Sequence, residues 1–394
     1  MTLRVVTALP GRAFEADVVR RLSRADSGAT VVRRCLDVIE LRSVAGARLA
    51  DVAVVDLSLR GIDRDVVAEL HSQGLRVIGT VRSPQSATGL GADAIVAEEA
   101  EAVFSALRGG VAADVVTNRP PGAGGRLVAV WGPVGAPGRT TVAVSLADEL
   151  SRLGISSLLA DADTYGPSIA QHLGLLDDAS GLAAVCRLAA QDRLDAAAMA
   201  RSAVALPEGL RVLTGVPRAE RWDELRPAAL DAVWQNAREL VATTVVDVGF
   251  CIEHDDLAWF EPGVLSRNQA AVATLAAADV LVAVSGADPV GLVRFLRALP
   301  AARELAPTAR VEVVVNRVAT SRVSRGELCS LLASHLAGGE PAYVPDDPAA
   351  VLAAMRAGRT LAEVAARSPA RRAIQALAER LAGVSGRRRR RRAA

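Results

Sequence analysis

Short runs of Val, Ile, Leu and Ala, four to seven residues long, recur along this chain. Between them lie longer stretches in which apolar positions return every three or four residues, the signature of strands alternating with amphipathic helices. In the first part, strands are predicted at Leu3–Leu9, Ala29–Val32, Val52–Leu57, Arg76–Thr80 and Ala92–Val96. Helices are predicted at Phe14–Arg24, at Val38–Leu49 with Asp37 as N-cap, at Asp63–Gln73 closed by Gly74, and at Glu98–Leu107. Five βα units of this size imply a small doubly wound domain with a parallel sheet, residues 1–109.

The pattern then fails. Residues 110–126 carry Pro120-Pro121 and several glycines and read as a linker. A second, larger α/β domain is predicted over 127–385. Its strands are Leu127–Trp131, Ser157–Ala160, Val212–Thr214, Thr244–Val248, Val280–Val284 and Val311–Val315. These are almost continuous apolar runs, as strands buried on both faces require. The fold class is therefore α/β with two doubly wound parallel-sheet domains. Residues 386–394 read as a disordered arginine-rich tail.

Composition narrows the function. The chain has 394 residues, 51% hydrophobic but only 3% aromatic, so its cores must be aliphatic. No apolar run reaches the roughly 18 residues of a membrane span, and the start of the chain does not resemble a signal peptide. Cys35, Cys186, Cys251 and Cys329 form no CxxC pair and the histidines show no metal spacing. Reduced thiols and a cytoplasmic location are expected. There is no lysine; every basic side chain is arginine. Without Arg387–Arg392 the net charge of +2 falls to −4, so affinity for polyanions is expected in the tail alone. There, weak contact with anionic lipid or nucleic acid competes with the plain reading of a solvated terminus.

The chemistry-bearing stretch is WGPVGAPGRTT, Trp131–Thr141. A strand precedes it and a helix, Thr140–Leu153, follows. Strand, glycine-rich loop and helix form the context for phosphate binding, because backbone N–H groups and the helix dipole converge on an anion. Against GxxxxGK[ST] the first glycine is replaced by Pro133 and the lysine by Arg139, giving a degenerate Walker A loop. Asp161 and Asp163 follow the next strand and Asp247 ends another. In a parallel sheet these strand ends share an edge with the loop, so Thr140, Asp161 and Asp247 are candidate Mg²⁺ ligands.

The order of these segments, over roughly Leu127–Ala382, resembles the MinD/ParA group of deviant P-loop ATPases. The family loop, close to S-G-K-G-G-V-G-K-T-T, aligns with Gly132–Thr141. The resemblance implies a nucleotide cradle from Gly135, Ala136, Pro137, Gly138, Arg139, Thr140 and Thr141, with Thr140 toward Mg²⁺ and Thr141 toward the α-phosphate. It implies that Asp163 positions the attacking water, that Asn316 in VVVNRV reads adenine, and that Pro345-Asp346 closes over the base. ATP or ADP with Mg²⁺ are the implied cofactors and a homodimer the implied assembly. The two-domain arrangement is most similar to CpaE/TadZ proteins, which place a receiver-like domain before a MinD-like ATPase and localise pilus or secretion machinery. A septum- or chromosome-positioning role is a related expectation.

The departures matter. Val134 stands where the family's signature lysine reaches a phosphate across a dimer, and Arg139 where the loop lysine stands. Arg267 is a candidate substitute cation. Arginine keeps the charge but not the shape of an ammonium, so the expectation is nucleotide binding with slow or absent hydrolysis, Asp163 and Arg139 being the candidate catalytic residues. In the first domain Asp56 and Thr80 match receiver positions, but Ala8-Leu9-Pro10 lacks the acidic pair and Ala97-Glu98 replaces Lys-Pro. A pseudo-receiver used for docking or dimerisation is expected. A non-hydrolysing regulatory scaffold and a ParA-like DNA-partitioning ATPase stand as alternatives.

Overall fold

The computed structural model describes residues 2–24, 27–82, 90–108, 124–136, 138–175, 179–253, 265–319, 332 and 340–383. The chain divides into two compact units, one built chiefly on residues 1–121 and the other chiefly on 122–394.

The first unit runs β1 (Leu3–Ala8), α1 (Glu15–Leu22), β2 (Ala29–Arg34), α2 (Val38–Gly46), β3 (Val52–Asp56), α3 (Arg64–Ser72), β4 (Arg76–Val81), β5 (Ala94–Ala97) and α4 (Ala100–Arg108). All strands are parallel in the order β2-β1-β3-β4-β5, the flavodoxin-like order of doubly wound sheets. Alternation along the strands sends Val6 and Val55 to one face, with Leu41 and Leu70. Val5 and Val54 face the other side, with Val18 and Phe104. Asp37 and Asp63 cap α2 and α3 by accepting from the Glu40 and Val66 amides, each cap contributing about 1 kcal/mol.

The second unit opens with β6 (Arg126–Trp131), α5 (Arg139–Arg152), β7 (Ser157–Ala162), α6 (Ile169–His172), α7 (Gly181–Ala190), α8 (Ala196–Ser202), β8 (Val204–Ala205) and β9 (Arg211–Leu213). It continues with α9 (Pro227–Leu240), β10 (Thr243–Val248), α10 (Gln269–Ala277), β11 (Val280–Gly286), α11 (Pro289–Leu305), β12 (Arg310–Val318), β13 (Ala342–Pro345), α12 (Pro348–Ala357), α13 (Leu361–Val364) and α14 (Pro369–Leu381). The sheet order is β13-β12-β11-β6-β10-β7-β9-β8. Among the described residues only the edge pair β8–β9 is antiparallel; the other pairings are parallel. Beyond β6 the strand order runs away in both directions. Such a switch point leaves a crevice outside the carboxyl ends of the strands, and the glycine-rich loop leaves β6 there.

α5 is the central packing helix. Val142, Leu146 and Leu150 are buried with β6, β7 and β10 on one side and with Ile374, Leu377 and Leu381 of α14 on the other. Each such fully buried aliphatic side chain contributes about 2 kcal/mol. Two strands lie outside the sequence expectation. β8 has two residues, and β13 is a four-residue Ala-Tyr-Val-Pro segment, too short for a period-2 pattern to register. The expected linker 110–126 is described only from residue 124, and the tail Arg387–Arg392 and Cys329 lie outside the described residues. Among the described residues, no helix is long and apolar enough to cross a membrane.

Candidate functional site

The loop after β6 is shaped by glycine. A β-carbon at Gly132 would collide with the Val284 carbonyl of β11, and one at Gly138 with the Asn316 amide of β12. Gly138 also has the left-handed φ of +82°. It precedes α5 without a side-chain cap, and the first turn carries no acid. The opening N–H groups of a 14-residue helix are therefore turned to the crevice with no side-chain oxygen claiming them. Pro133 and Ala136 close a turn (2.9 Å); Pro137 lies outside the described residues.

Parallel register sets Asp161 and Asp247 directly beside each other on β7 and β10. Parallel neighbours project to the same face, and both carboxylates are almost wholly buried. Asp161 is tied to the chain that follows it. It accepts from the amides of Asp163 (3.2 Å), Ser168 (2.9 Å) and Ile169 (3.0 Å). Burial still drives its pKa upward against those donors, and the nearby Asp163 charge adds to the rise. Asp247 lacks even that support: both of its oxygens are buried without a well-formed hydrogen bond. Burial and then Asp161 push its pKa up, while the Thr140 hydroxyl and the Arg139 guanidinium pull the other way.

Thr140 accepts from Ser168 Oγ at 3.2 Å, so the helix start, β7 and β10 converge on one spot. Among the described residues no three His, Cys, Asp or Glu side chains gather into a metal cluster. One hydroxyl and a buried carboxylate without a counter-charge are oxygen donors of the kind Mg²⁺ prefers.

Asp163 sits at the mouth. Its Oδ1 accepts from the Tyr165 and Gly166 amides (2.8 and 3.1 Å), and its Oδ2 faces Arg139 Nη2 at 3.3 Å. Arg139 also donates to the Gly132 carbonyl at 3.1 Å. The loop's one basic side chain thus bridges the start of its own loop to the candidate water-positioning acid. Arg267 is likewise engaged: its guanidinium donates to the Thr164 carbonyl (3.2 and 2.9 Å) and lies 4.2 Å from the Tyr165 ring centre. In this geometry it fastens the segment after β7 to the one before α10 and does not reach into the loop as a replacement for the signature lysine.

Asn316, Pro345 and Asp346 come together with Gly138 and Thr141 around a cavity of about 230 Å³. Whole-ligand pockets span roughly 300–1,000 Å³, so this cavity has room for one part of such a ligand. Its floor is apolar, from Val142, Val344 and Ile374. Two charged lining residues escaped the sequence reading. Arg317 adopts a left-handed φ of +57° where the β12–β13 register slips, which no local pattern announces. Asp347 caps α12 and accepts from Ser368 Oγ at 2.7 Å; the Asp347-Pro348 pair, a capping residue before a first-turn proline, carried that signal.

Solved structures share the fold of the second unit. A ParA family ATPase from Chlorobium tepidum TLS superposes with a TM-score of 0.54 at 20% identity, over 64% of this chain and 98% of its own. The septum site-determining protein MinD from Pyrococcus horikoshii OT3, a complex with Mg-ADP, gives 0.51 at 16% identity, over 66% of this chain and 97% of its own. The cell division ATPase MinD of Pyrococcus furiosus gives 0.51 at 18% identity, over 66% and 99%. The chain contains the MinD/ParA fold. No family model matches the chain, and no curated protein matches it in sequence. The MinD/ParA likeness is therefore one of backbone architecture. Within that architecture the loop leaves Val134 53% exposed.

Proposed function

We propose that this chain is a nucleotide-binding protein of the MinD/ParA kind that binds ATP and ADP with Mg²⁺ and hydrolyses ATP slowly or not at all. In this reading Gly135, Ala136, Pro137, Gly138, Arg139 and Thr141 cradle the phosphates. Asn316, Pro345 and Asp346 hold the base, and Thr140, Asp161 and Asp247 hold Mg²⁺. The ion would neutralise phosphate charge. Asp163 is the acid placed to orient water, and its contact with Arg139 must open first, which favours slow turnover.

The observation that carries this reading is Asp247: a carboxylate buried without an ion pair, beside a helix N-terminus and a threonine hydroxyl. An unpaired buried charge is costly and is tolerated where a ligand completes it. Calorimetric titration of the full chain with ATP and ADP, with and without Mg²⁺, tests it. Micromolar, Mg²⁺-dependent binding is expected, and no binding at millimolar nucleotide overturns the reading.

The broader role we infer is positional. The protein would place or regulate a pilus, secretion or division assembly, as CpaE/TadZ-like proteins do, acting as a homodimer with a protein partner. Residues 1–109 would serve as a pseudo-receiver for docking or dimerisation. What supports this for the first unit is Asp56. Arg12 Nε donates to it at 2.7 Å, and the Ser58 amide and hydroxyl donate at 2.8 and 2.7 Å. A basic side chain thus stands where a receiver keeps its metal-binding acids.

A further inference from the structure

The signature position of the loop has lost its cation, Arg139 is bound to Asp163, and Arg267 is bound to Thr164. One more guanidinium nevertheless lies against the loop. A β-carbon at Gly135 would sit 2.9 Å from Nη1 of Arg294, so this side chain from α11 lies along the loop backbone one residue past Val134. Gly135 has a left-handed φ of +79°, so the chain there takes a path that leaves the guanidinium room. Arg294 is solvent-exposed, and no acid among the described residues forms an ion pair with it.

α11 leaves β11, the strand hydrogen-bonded to β6. The loop and this helix therefore leave neighbouring strands at the same edge of the sheet. Its N-terminus is already capped by Asp288, which accepts from the Gly291 amide at 2.9 Å. The available positive feature is therefore the Arg294 side chain, with a planar fork of donors suited to phosphate oxygens.

We propose that Arg294 is a phosphate-clamping residue of the nucleotide site, supplied by the same chain in place of the cation missing at position 134. This deepens the nucleotide-binding reading above and rests on it. The loop residue it touches follows the position at which the family loop addresses the distal phosphates. The contribution of Arg294 therefore grows with phosphate number: large for ATP, smaller for ADP, absent for adenosine.

The test uses the full-length protein and Mg-ATP, Mg-ADP and adenosine as probes, with affinities measured by calorimetry at two salt concentrations. Arg294→Ala is expected to weaken Mg-ATP at least tenfold and Mg-ADP less, with an unchanged thermal midpoint because the side chain is exposed. Arg294→Lys is expected to restore most of the loss, and Arg297→Ala, a charge-matched control on the same helix, to change nothing. Equal Mg-ATP affinity in Arg294→Ala and wild type, with wild-type binding intact, overturns the role of Arg294 alone. A wild-type protein that binds no nucleotide overturns the underlying reading and this inference with it.

Discussion

Asp56 and Asp247 occupy equivalent places, each ending or nearly ending a buried parallel strand, β3 or β10, yet their surroundings are opposite. Asp56 has its counter-charge built in. Burial opposes its ionisation, but the Arg12 guanidinium and the Ser58 hydroxyl and amide outweigh that, and its pKa falls below the usual carboxylate range. Asp247 has no such partner, and burial with a neighbouring carboxylate raises its pKa. The first unit has closed its strand-end acid with its own side chains. The second has left a charge for something outside the chain to answer. One kind of sheet therefore supports a closed structural ion pair in one place and a buried carboxylate without a counter-charge in another.

The contrast breaks most visibly at Arg12. Arg12→Ala leaves Asp56 buried and unpaired, and should cost the first unit about 3 kcal/mol, read as a lowered denaturant midpoint. Adding Asp56→Asn should recover most of that loss; if Arg12→Ala is silent, the pair is not what holds Asp56. At the other aspartate the sign reverses. Asp247→Asn should raise the ligand-free stability at pH 8 by about 1 kcal/mol, since it removes an unsatisfied buried carboxylate. It should also weaken Mg-ATP about tenfold, or about 1.4 kcal/mol. A variant that loses stability and keeps Mg-ATP affinity would make Asp247 a structural residue like Asp56.

Acid and base sharpen the same comparison. A depressed pKa such as that of Asp56 gives stability that is present above the unfolded value near 4 and lost as pH falls through the folded one. A raised pKa such as that of Asp247 gives stability that is present below the unfolded value and lost as pH rises through the folded one. Scanning calorimetry across pH should therefore show the first unit weakening on acidification below about pH 4. The second should weaken as pH climbs from there through neutrality, and Asp247→Asn should flatten that slope. The smallest effect is expected at the base end. Asn316→Ala should lower ATP affinity by three- to tenfold, the worth of one hydrogen bond of about 0.5–1.5 kcal/mol, while pyrophosphate binding stays unchanged.

Much of this frame was legible beforehand, because long buried strands and capped helices write themselves in local pattern. Leu127–Trp131, Thr244–Val248 and the Asp37 and Asp63 caps needed no tertiary information. The convergence of Thr140 with Asp161 and Asp247 followed from parallel register alone. What escaped depends on contacts distant in sequence. The proximity of Arg294 to Gly135 spans two elements, the bond from Arg139 to Asp163 is a choice among several partners, and the bulge at Arg317 arises from pairing with a strand too short to be noticed.

The last helix has a consequence of its own. Arg371 of α14 grips the deeply buried Glu149 of α5 at 2.6 Å, while Ala370 and Ile374 from the same helix line the small cavity beside Asn316. Anything bound in that cavity would touch this helix, the last element described. A reporter dye or fusion joined after Gly383 would therefore be mounted on the part of the molecule best placed to feel occupancy, and slowed amide exchange over 369–381 would register it.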